Sequence, residues 1–467
     1  MQTTLAPEFQ GTAEGAEAEA ILRKCVHCGF CTATCPTYQL LGDELDGPRG
    51  RIYLMKQVLE GAEVTRKTQA HLDRCLTCRN CETTCPSGVQ YGHLVDIGRR
   101  IVERKVERPA GERAVRWLLK EGLTSPLFAP AMKLGQAVRP LLPATLQNKV
   151  PAPAGARAHA WPRREHARKV LVLAGCVQPA MMPNVNAATA RVLDAAGLQA
   201  VVADGAGCCG AIRSHLNDTA GGLDDMRRNI DAWWPWVEGR GGAAPVEAIV
   251  MNASGCGVTV KEYGHALAHD PAYADKARRI SALTRDLSEL LPELLPALRE
   301  RLEGRNPGDS AAARVAAGGA GGSPAGMTDG ATRGRAPSDE VAGTPAPRGR
   351  LVFHPPCTLQ HGQQLRGGVE TPLRELGFEV RLAASESHLC CGSAGTYSVL
   401  QPELAYQLRD RKLGALAPAA GETVISANIG CIQHLQSGTA APVRHWVEVL
   451  DEALADAPSQ ATTAPQA

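Results

Sequence analysis

Sixteen cysteines in 467 residues are the chemistry this sequence offers, and half of them fall in two matching runs. The first is Cys25-x2-Cys28-x2-Cys31-x3-Cys35-Pro36. The second, displaced by 50 residues, is Cys75-x2-Cys78-x2-Cys81-x3-Cys85-Pro86. A cubane cluster needs four thiolates. Two-residue gaps let one tight loop supply three of them, while the fourth cysteine points away and serves the neighbouring cluster. On that rule one 4Fe–4S cluster takes Cys25, Cys28, Cys31 and Cys85, and a second takes Cys75, Cys78, Cys81 and Cys35. The proline after each fourth cysteine ends the loop and has no N–H to satisfy. Zinc sites use one or two Cys-x2-Cys pairs, often with histidine, and four ligands in all; a doubled four-cysteine run fits them poorly. His27 and His93 lie close by and read as supporting or surface residues. Arg49 and Arg51 offer charge that would tune a cluster, but their place at a helix start reads as solvent-exposed.

The other eight cysteines form an internal duplication. An apolar run ends in cysteine twice, in KVLVLAGC at Cys176 and RLVFHPPC at Cys357. After gaps of 31 and 32 residues come Cys208-Cys209-Gly210 and Cys390-Cys391-Gly392. Further apolar runs then close at Cys256, in AIVMNASGC, and at Cys431, in VISANIGC. Four thiols per unit admit three chemistries: a further iron–sulfur cluster, a structural zinc, or a metal-free redox site with a strained disulfide between adjacent cysteines. Gly207, Gly210, Gly255, Gly257, Gly392 and Gly430 suit either turns or close backbone approach to a bulky ligand. His354 and His388 could add a ligand or a proton relay, but each stands unpaired and reads as structural.

These residues need elements to position them. Ile52, Met55, Val58 and Leu59 repeat at helical spacing after Pro48, as do Leu94, Ile97 and Ile101 after the second run. The apolar runs of the duplicated units have strand length and β-branched content, with helix-like stretches such as 185–197 and 402–416 between them. Each unit is therefore expected as a small α/β domain with cysteines just past its strand ends, where open α/β sheets place their sites. The expected organisation is a mostly α domain over 1–115, a helical connector over 116–165, α/β units over 166–305 and 350–457, and disordered segments over 306–349 and 458–467. The disordered segments carry almost no large apolar residue to offset ordering entropy.

Composition removes other classes. Lysine plus arginine number 50 against 48 acids, and aromatics make up only 4%, so neither charge nor stacking suits nucleic acid. The acidic N-terminus lacks the apolar core of a secretory signal. Residues 170–190 are uncharged but broken by Pro179 and Pro183, against a membrane span. Reduced, metal-binding cysteine in a cytoplasmic protein is the expectation. At most a peripheral contact with the inner face of the cytoplasmic membrane would be made, through 124–149.

The helices around the cysteine runs resemble the helical ferredoxin domains of respiratory enzymes. The paired-cysteine units resemble the cysteine-rich "CCG" domains of heterodisulfide-reductase-type proteins. They depart from that pattern at the closing Cys-x-x-Cys, where Ala253 and Asn428 stand at the first cysteine position. The fold class is thus multidomain, a helical-ferredoxin domain followed by two duplicated α/β CCG domains. Together with CVHCGFCTATCPTYQLLGDELDGPRGRIYLMKQVLEG and HLDRCLTCRNCETTCPSGVQYGHLVDIGR, this order resembles the iron–sulfur subunits of glycolate oxidases. The resemblance implies an electron-transfer subunit. Its flavin-bearing partner subunits, which alone hold FAD, would oxidise glycolate to glyoxylate, and also D-lactate. The acceptor would be a non-oxygen one such as quinone. Related subunits of anaerobic glycerol-3-phosphate dehydrogenase and of heterodisulfide reductase share the layout, which leaves an electron-transfer or thiol/disulfide reductase role in such a complex as the alternative. No convincing flavin site is read here: GAGCCG has spaced glycines, but it carries the paired thiols that the duplication explains.

Overall fold

The computed structural model describes residues 1–141, 143, 150–153, 155–239, 244–304 and 348–456. Apart from residues 348 and 349, the segments expected to be disordered lie outside the described residues. The first hundred residues fold as helices. Thr12 caps the helix Ala13–Lys24 by accepting from the Gly15 N–H, and Pro48 opens the helix Pro48–Leu59 at a position where its missing N–H costs nothing. These two pack with the helix Tyr91–Lys105 through Leu22, Ile52, Met55, Leu59, Leu94, Ile97 and Ile101, all buried. The apolar positions read at helical spacing are therefore the core-facing ones.

The helices Ala110–Thr124 and Phe128–Ala137 follow. The first runs across the expected division at 115, so the domain edge falls inside one helix. Neither helix buries a residue fully, and Trp117, Leu118, Leu127 and Leu134 are each more than 60% exposed.

The remainder is two four-stranded parallel sheets of like topology. In the first, Arg168–Val172 (β1) lies between Leu198–Val201 (β2) and Ile249–Met251 (β3), with Thr284–Asp286 (β4) beyond, in the order β2-β1-β3-β4. In the second, Arg350–His354 (β5), Glu379–Leu382 (β6), Thr423–Ser426 (β7) and Val443–His445 (β8) repeat it as β6-β5-β7-β8. Registers match: Leu171 stands beside Ile249, and Val352 beside Val424. The connections leave β1 and β5 toward opposite neighbours on their two sides, which makes each β1/β3 and β5/β7 crevice a topological switch point.

The two units share one core. The helices Pro183–Ala195, Leu287–Leu302 and Trp446–Asp456 bury Val185, Leu291, Leu298, Trp446 and Leu450 against both sheets. Polar bonds tie the switch points directly: the Ser254 N–H donates to the Ala427 carbonyl (3.0 Å), and the His445 ring meets the Asn252 carbonyl (2.8 Å). Among the described residues no helix is long and apolar enough to cross a membrane.

Candidate functional site

The two cysteine runs repeat in backbone as well as in sequence. Cys25 and Cys75 follow the helices Ala13–Lys24 and Arg66–Asp73. Left-handed residues then recur at matching places: His27 (φ 57°) and Gly29 (φ 87°) in the first loop, Thr77 (φ 52°) and Arg79 (φ 59°) in the second. Three non-glycine residues held at positive φ are strain that a loop keeps when its shape serves a site. Each loop aims its N–H groups and sulfurs inward. One small cavity is lined by Cys25, Cys28, Cys31, Cys81 and Cys85. A second is lined by Cys35, Cys75, Cys78 and Cys81.

The surroundings of these cavities differ. Around the first, Cys28 and His27 are exposed, and Val26 and Phe30 are 68% and 62% exposed. Arg49 is half-exposed and paired with Glu44 at 2.6 Å. Around the second, Arg51 is only 1% exposed, which corrects the expectation of a solvated helix-start arginine. It donates to the His71 carbonyl (2.7 Å), to Thr37 Oγ1 (3.1 Å) and to Asp46 (3.4 Å). Asp46, also buried, takes His71 (3.0 Å) and Arg74 (2.8 Å) as well. Arg99 donates to the carbonyls of Leu72 and Cys75 and to Thr77 Oγ1. Tyr91 points its hydroxyl at the Cys75 sulfur (3.6 Å).

Crowding among the thiols shows what the sites want. Burial, then neighbouring Cys25, pushes the Cys31 thiol up to about 11. Burial, with Cys357 and Cys35, pushes Cys78 well up; burial, with Cys78 and Cys75, does the same to Cys81. Four thiolates cannot share so small a space without cations between them, and the iron of a cluster supplies those cations. The donor set, at least four cysteine sulfurs around each cavity with Cys81 touching both, fits iron–sulfur ligation.

In the duplicated units every cysteine sits at its switch point. Cys176 and Cys357 follow β1 and β5; Cys256 and Cys431 lie in the first turns of the helices Ser254–Lys261 and Ile429–Gln436. The Cys-Cys-Gly turns need their glycine. Gly210 and Gly392 have φ of 91° and 90°, and a Cβ there would run into the carbonyl oxygens of Gly222 and Ala405. Both sets face one cavity of 530 Å³, lined by Cys176, Cys208, Cys209 and Cys256 on one side, by Cys357, Cys390 and Cys431 on another, and by Cys75 and Cys78.

Electrostatics separates the two sets. In the first, bonds from Cys176 and Cys209, with the N–H groups of Gly210 and Ile212, hold Cys208 down to about 3, while Cys176 is pushed up by Cys208 and burial. Asp225, raised to about 6 by burial and by Cys208, adds a carboxyl near that thiolate. Asn229, fully buried, donates to the Cys208 carbonyl (2.7 Å) and accepts from the Gly207 N–H (2.8 Å). In the second set, Cys357 and Cys390 lie 3.8 Å apart, and Cys357 is pushed up by its bond to Cys390 and by burial. Lys412, 2% exposed, stands near Cys391 and Cys390 with its ammonium on the carbonyls of Glu386 (2.5 Å) and Ser387 (3.3 Å).

His354, His388 and His93 sort out differently. His354 ends β5, fully buried, with one ring nitrogen and the sulfurs of Cys391 and Cys431 all within 4.8 Å of one another. His388 is exposed, and its carbonyl accepts from Asn80 (3.4 Å) and meets the His361 ring (2.8 Å). His93 stacks on His265 at 4.0 Å and sits between Glu17 and Glu262. Reading the sequence did not reveal Arg99, Lys412 or Asn229 as site residues; only their burial and hydrogen bonds mark them.

Residues 21–89 match the family model of the 4Fe-4S dicluster domain, and residues 170–261 and 351–436 each match that of the cysteine-rich (CCG) domain. The chain is 51% identical over 457 residues to the glycolate oxidase iron-sulfur subunit of Escherichia coli (strain K12), covering 97% of this chain and 99% of that one. It is 28% identical over 453 residues to the probable glycolate oxidase iron-sulfur subunit of Bacillus subtilis (strain 168), covering 90% and 89%. A shorter likeness, 24% identity over 292 residues, relates 61% of the chain to 98% of lactate utilization protein A of Geobacillus thermodenitrificans.

Proposed function

This chain belongs to the family of glycolate oxidase iron–sulfur subunits, and from that premise we propose that it relays electrons from flavin-bearing partner subunits oxidising glycolate, and also D-lactate, to a non-oxygen acceptor such as quinone. Cys25, Cys28, Cys31 and Cys85 would hold one 4Fe–4S cluster and Cys35, Cys75, Cys78 and Cys81 the other, the two sets that line the two small cavities. When bound, such clusters take and give single electrons, and FAD stays in the partners.

One observation carries the relay: the first cysteine loop reaches the surface at Cys28, whereas the second has no exposed cysteine and packs against the second CCG unit. Cys28 is exposed within an apolar rim of Val26 and Phe30, a surface suited to a docked redox partner. The second loop is buried, and its Leu76 and Cys78 pack with Cys357, Cys390, Tyr397 and Leu408 of the second CCG unit. Arg51 and Arg99 bring positive charge to that loop and favour an added electron there over the exposed loop. The chain's own residues thus hold the carriers, exclude water progressively and set a downhill direction inward. A further cluster or zinc would occupy each CCG set. Within 124–149, the exposed apolar side chains of Leu127, Leu134 and Leu141 would make a peripheral membrane contact; residues 142 and 144–149 of that stretch lie outside the described residues.

The test is Cys28→Ser and Cys78→Ser in the anaerobically purified complex. Each is expected to remove one cluster's magnetic signal and stop dye-linked glycolate turnover. Full activity with half the iron lost would sink the relay. Loss of disulfide-reductase activity in Cys209→Ser or Cys391→Ser, with glycolate turnover intact, would favour the thiol-chemistry alternative instead.

A further inference from the structure

The second CCG unit contains a donor that the first lacks. His354 is completely buried, and neither its Nδ1 nor its Nε2 has a hydrogen-bond partner. A buried polar group left unpaired forfeits its hydration with no return, so native interiors seldom keep one without a reason. The reason lies beside it: a ring nitrogen shares a space less than 4.8 Å across with the sulfurs of Cys391 and Cys431, both buried. Imidazole nitrogen with thiolate sulfur is a transition-metal donor set.

The duplication supplies the control. His354 stands three residues before Cys357; the residue three before Cys176 is Leu173, buried and without a donor atom. Both units carry a non-cysteine, Ala253 or Asn428, where the closing pair would start. The second unit alone replaces the missing donor, from the end of β5 instead of the loop after β7.

We propose that His354 is a ligand of the second unit's metal centre, bound beside Cys391 and Cys431, so that this centre has mixed nitrogen and sulfur ligation while the first unit's has sulfur alone. The proposal rests on the reading that the CCG sets hold metal. The shared chemistry is a thiophilic transition-metal centre, either an iron–sulfur cluster or zinc. On an iron–sulfur centre, neutral imidazole in place of thiolate raises the reduction potential.

The test uses the full complex, purified anaerobically, with 15N-histidine labelling. The wild type is compared with His354→Leu (the side chain of the first unit), His354→Cys and Cys391→Ser. Iron, zinc and sulfide are counted per chain, and intact signals from the two N-terminal clusters confirm folding. If the centre is paramagnetic iron, a strong nitrogen hyperfine coupling is expected in the wild type and in neither His354 variant, with metal retained and the midpoint potential lowered in His354→Cys. If it is zinc, X-ray absorption is expected to show one nitrogen exchanged for sulfur in His354→Cys. Should His354→Leu fail to fold, His354→Cys decides alone. Metal content, coupling and potential unchanged in His354→Leu, while Cys391→Ser loses metal, would overturn the ligand and leave the metal reading standing. Unchanged metal in Cys391→Ser as well would overturn both.

Discussion

The two CCG units share a topology, a register and a cysteine pattern, yet they differ in what surrounds the sulfur and in how each meets the cluster domain. The glycines of the Cys-Cys-Gly turns pack on Gly222 in one and Ala405 in the other. Seven residues beyond those contacts stand Asn229 and Lys412. Both are buried; Asn229 donates to the carbonyl of Cys208 itself, and Lys412 to carbonyls of the loop leading into Cys390 and Cys391. One is a neutral amide and the other a cation. Leu173 stands against His354, and the carboxyl near Cys208, Asp225, is itself paired with Arg228 (2.8 Å) and Arg213 (3.5 Å), so the contrast lies in the buried groups: an amide and a leucine in the first unit, a cation and an imidazole in the second. Duplication preserved the scaffold and let the surroundings of the sulfurs diverge.

The largest expected effect separates the units by position. The second unit packs on the loop of Cys75 and Cys78 through Tyr397, whose hydroxyl donates to the Arg74 carbonyl (3.0 Å), and through Asn80. The first reaches the same loop's sulfurs across the shared cavity. Loss of an outer partner of a metal typically costs 10–100-fold, and loss of a ligand costs more. Cys391→Ser is therefore expected to lower glycolate turnover of the complex by more than about 100-fold, and Cys209→Ser by a smaller factor. Equal losses in steady-state assays would break the comparison and place the two units in series.

A smaller effect tests the charge difference. Lys412→Met and Asn229→Leu each strand buried carbonyls, at a cost of roughly 1–3 kcal/mol in unfolding free energy. Only Lys412→Met also removes a cation that stabilises an added electron. Redox titration is expected to show a lower midpoint potential for the second unit's centre in Lys412→Met and no change for the first unit's centre in Asn229→Leu. A shift in both would mean that packing, not charge, sets the potentials.

How far these residues were legible in the sequence follows from what kind of signal each carries. The cysteine spacing is local: three sulfurs per loop are set by backbone reach. The strand-end positions of Cys176 and Cys357 follow from apolar runs that read as strands before any contact is known. Lys412 lies in RDRKL, a charged stretch that reads as the solvated face of a helix, and its burial depends on where the Glu386 and Ser387 carbonyls arrive in three dimensions. Arg51 was read as exposed for the same reason, since Asp46 and His71 reach it only after the chain folds back. His354 carries no local signal beyond its place after three apolar residues. Comparing it with Leu173 across the duplication was the one sequence observation that marks it as different.

The smallest expected effect lies in how the units dock. The second unit meets the cluster domain through neutral bonds, Tyr397 to Arg74, Asn80 to His388 and Thr83 to His361, whose imidazole is held down to about 4 by burial. The first meets it through charge: Arg79 with Glu262, His265 with Glu17 at 2.9 Å, and His93 between Glu17 and Glu262. Glu17 and Glu262 raise His93 from 6.5 to about 9. His265 and His93 hold Glu17 well below its usual range, and His93 and Arg79 hold Glu262 at about 2 against the opposing effect of burial. A raised histidine stabilises the folded state fully below its unfolded value and ceases to do so above its folded one. The His93 contribution is thus complete below pH 6.5 and lost as pH climbs through 9. The Glu262 contribution is complete above pH 4.5 and lost only as pH falls toward 2. Between pH 7 and 10, hydrogen exchange is expected to rise in Tyr263–Ala266 and the helix Ala13–Lys24, after correction for the intrinsic rate, while exchange at Tyr397–Leu400 stays flat. Raising salt at pH 6 should loosen the same seam and spare the other, because screening acts on the half-exposed ion pairs and not on neutral buried bonds. His93→Ala should flatten the pH response without touching the salt response of Arg79 and Glu262. If both seams loosened together, the two units would dock as one body on the shared core, and the ionic contacts would only follow its motion.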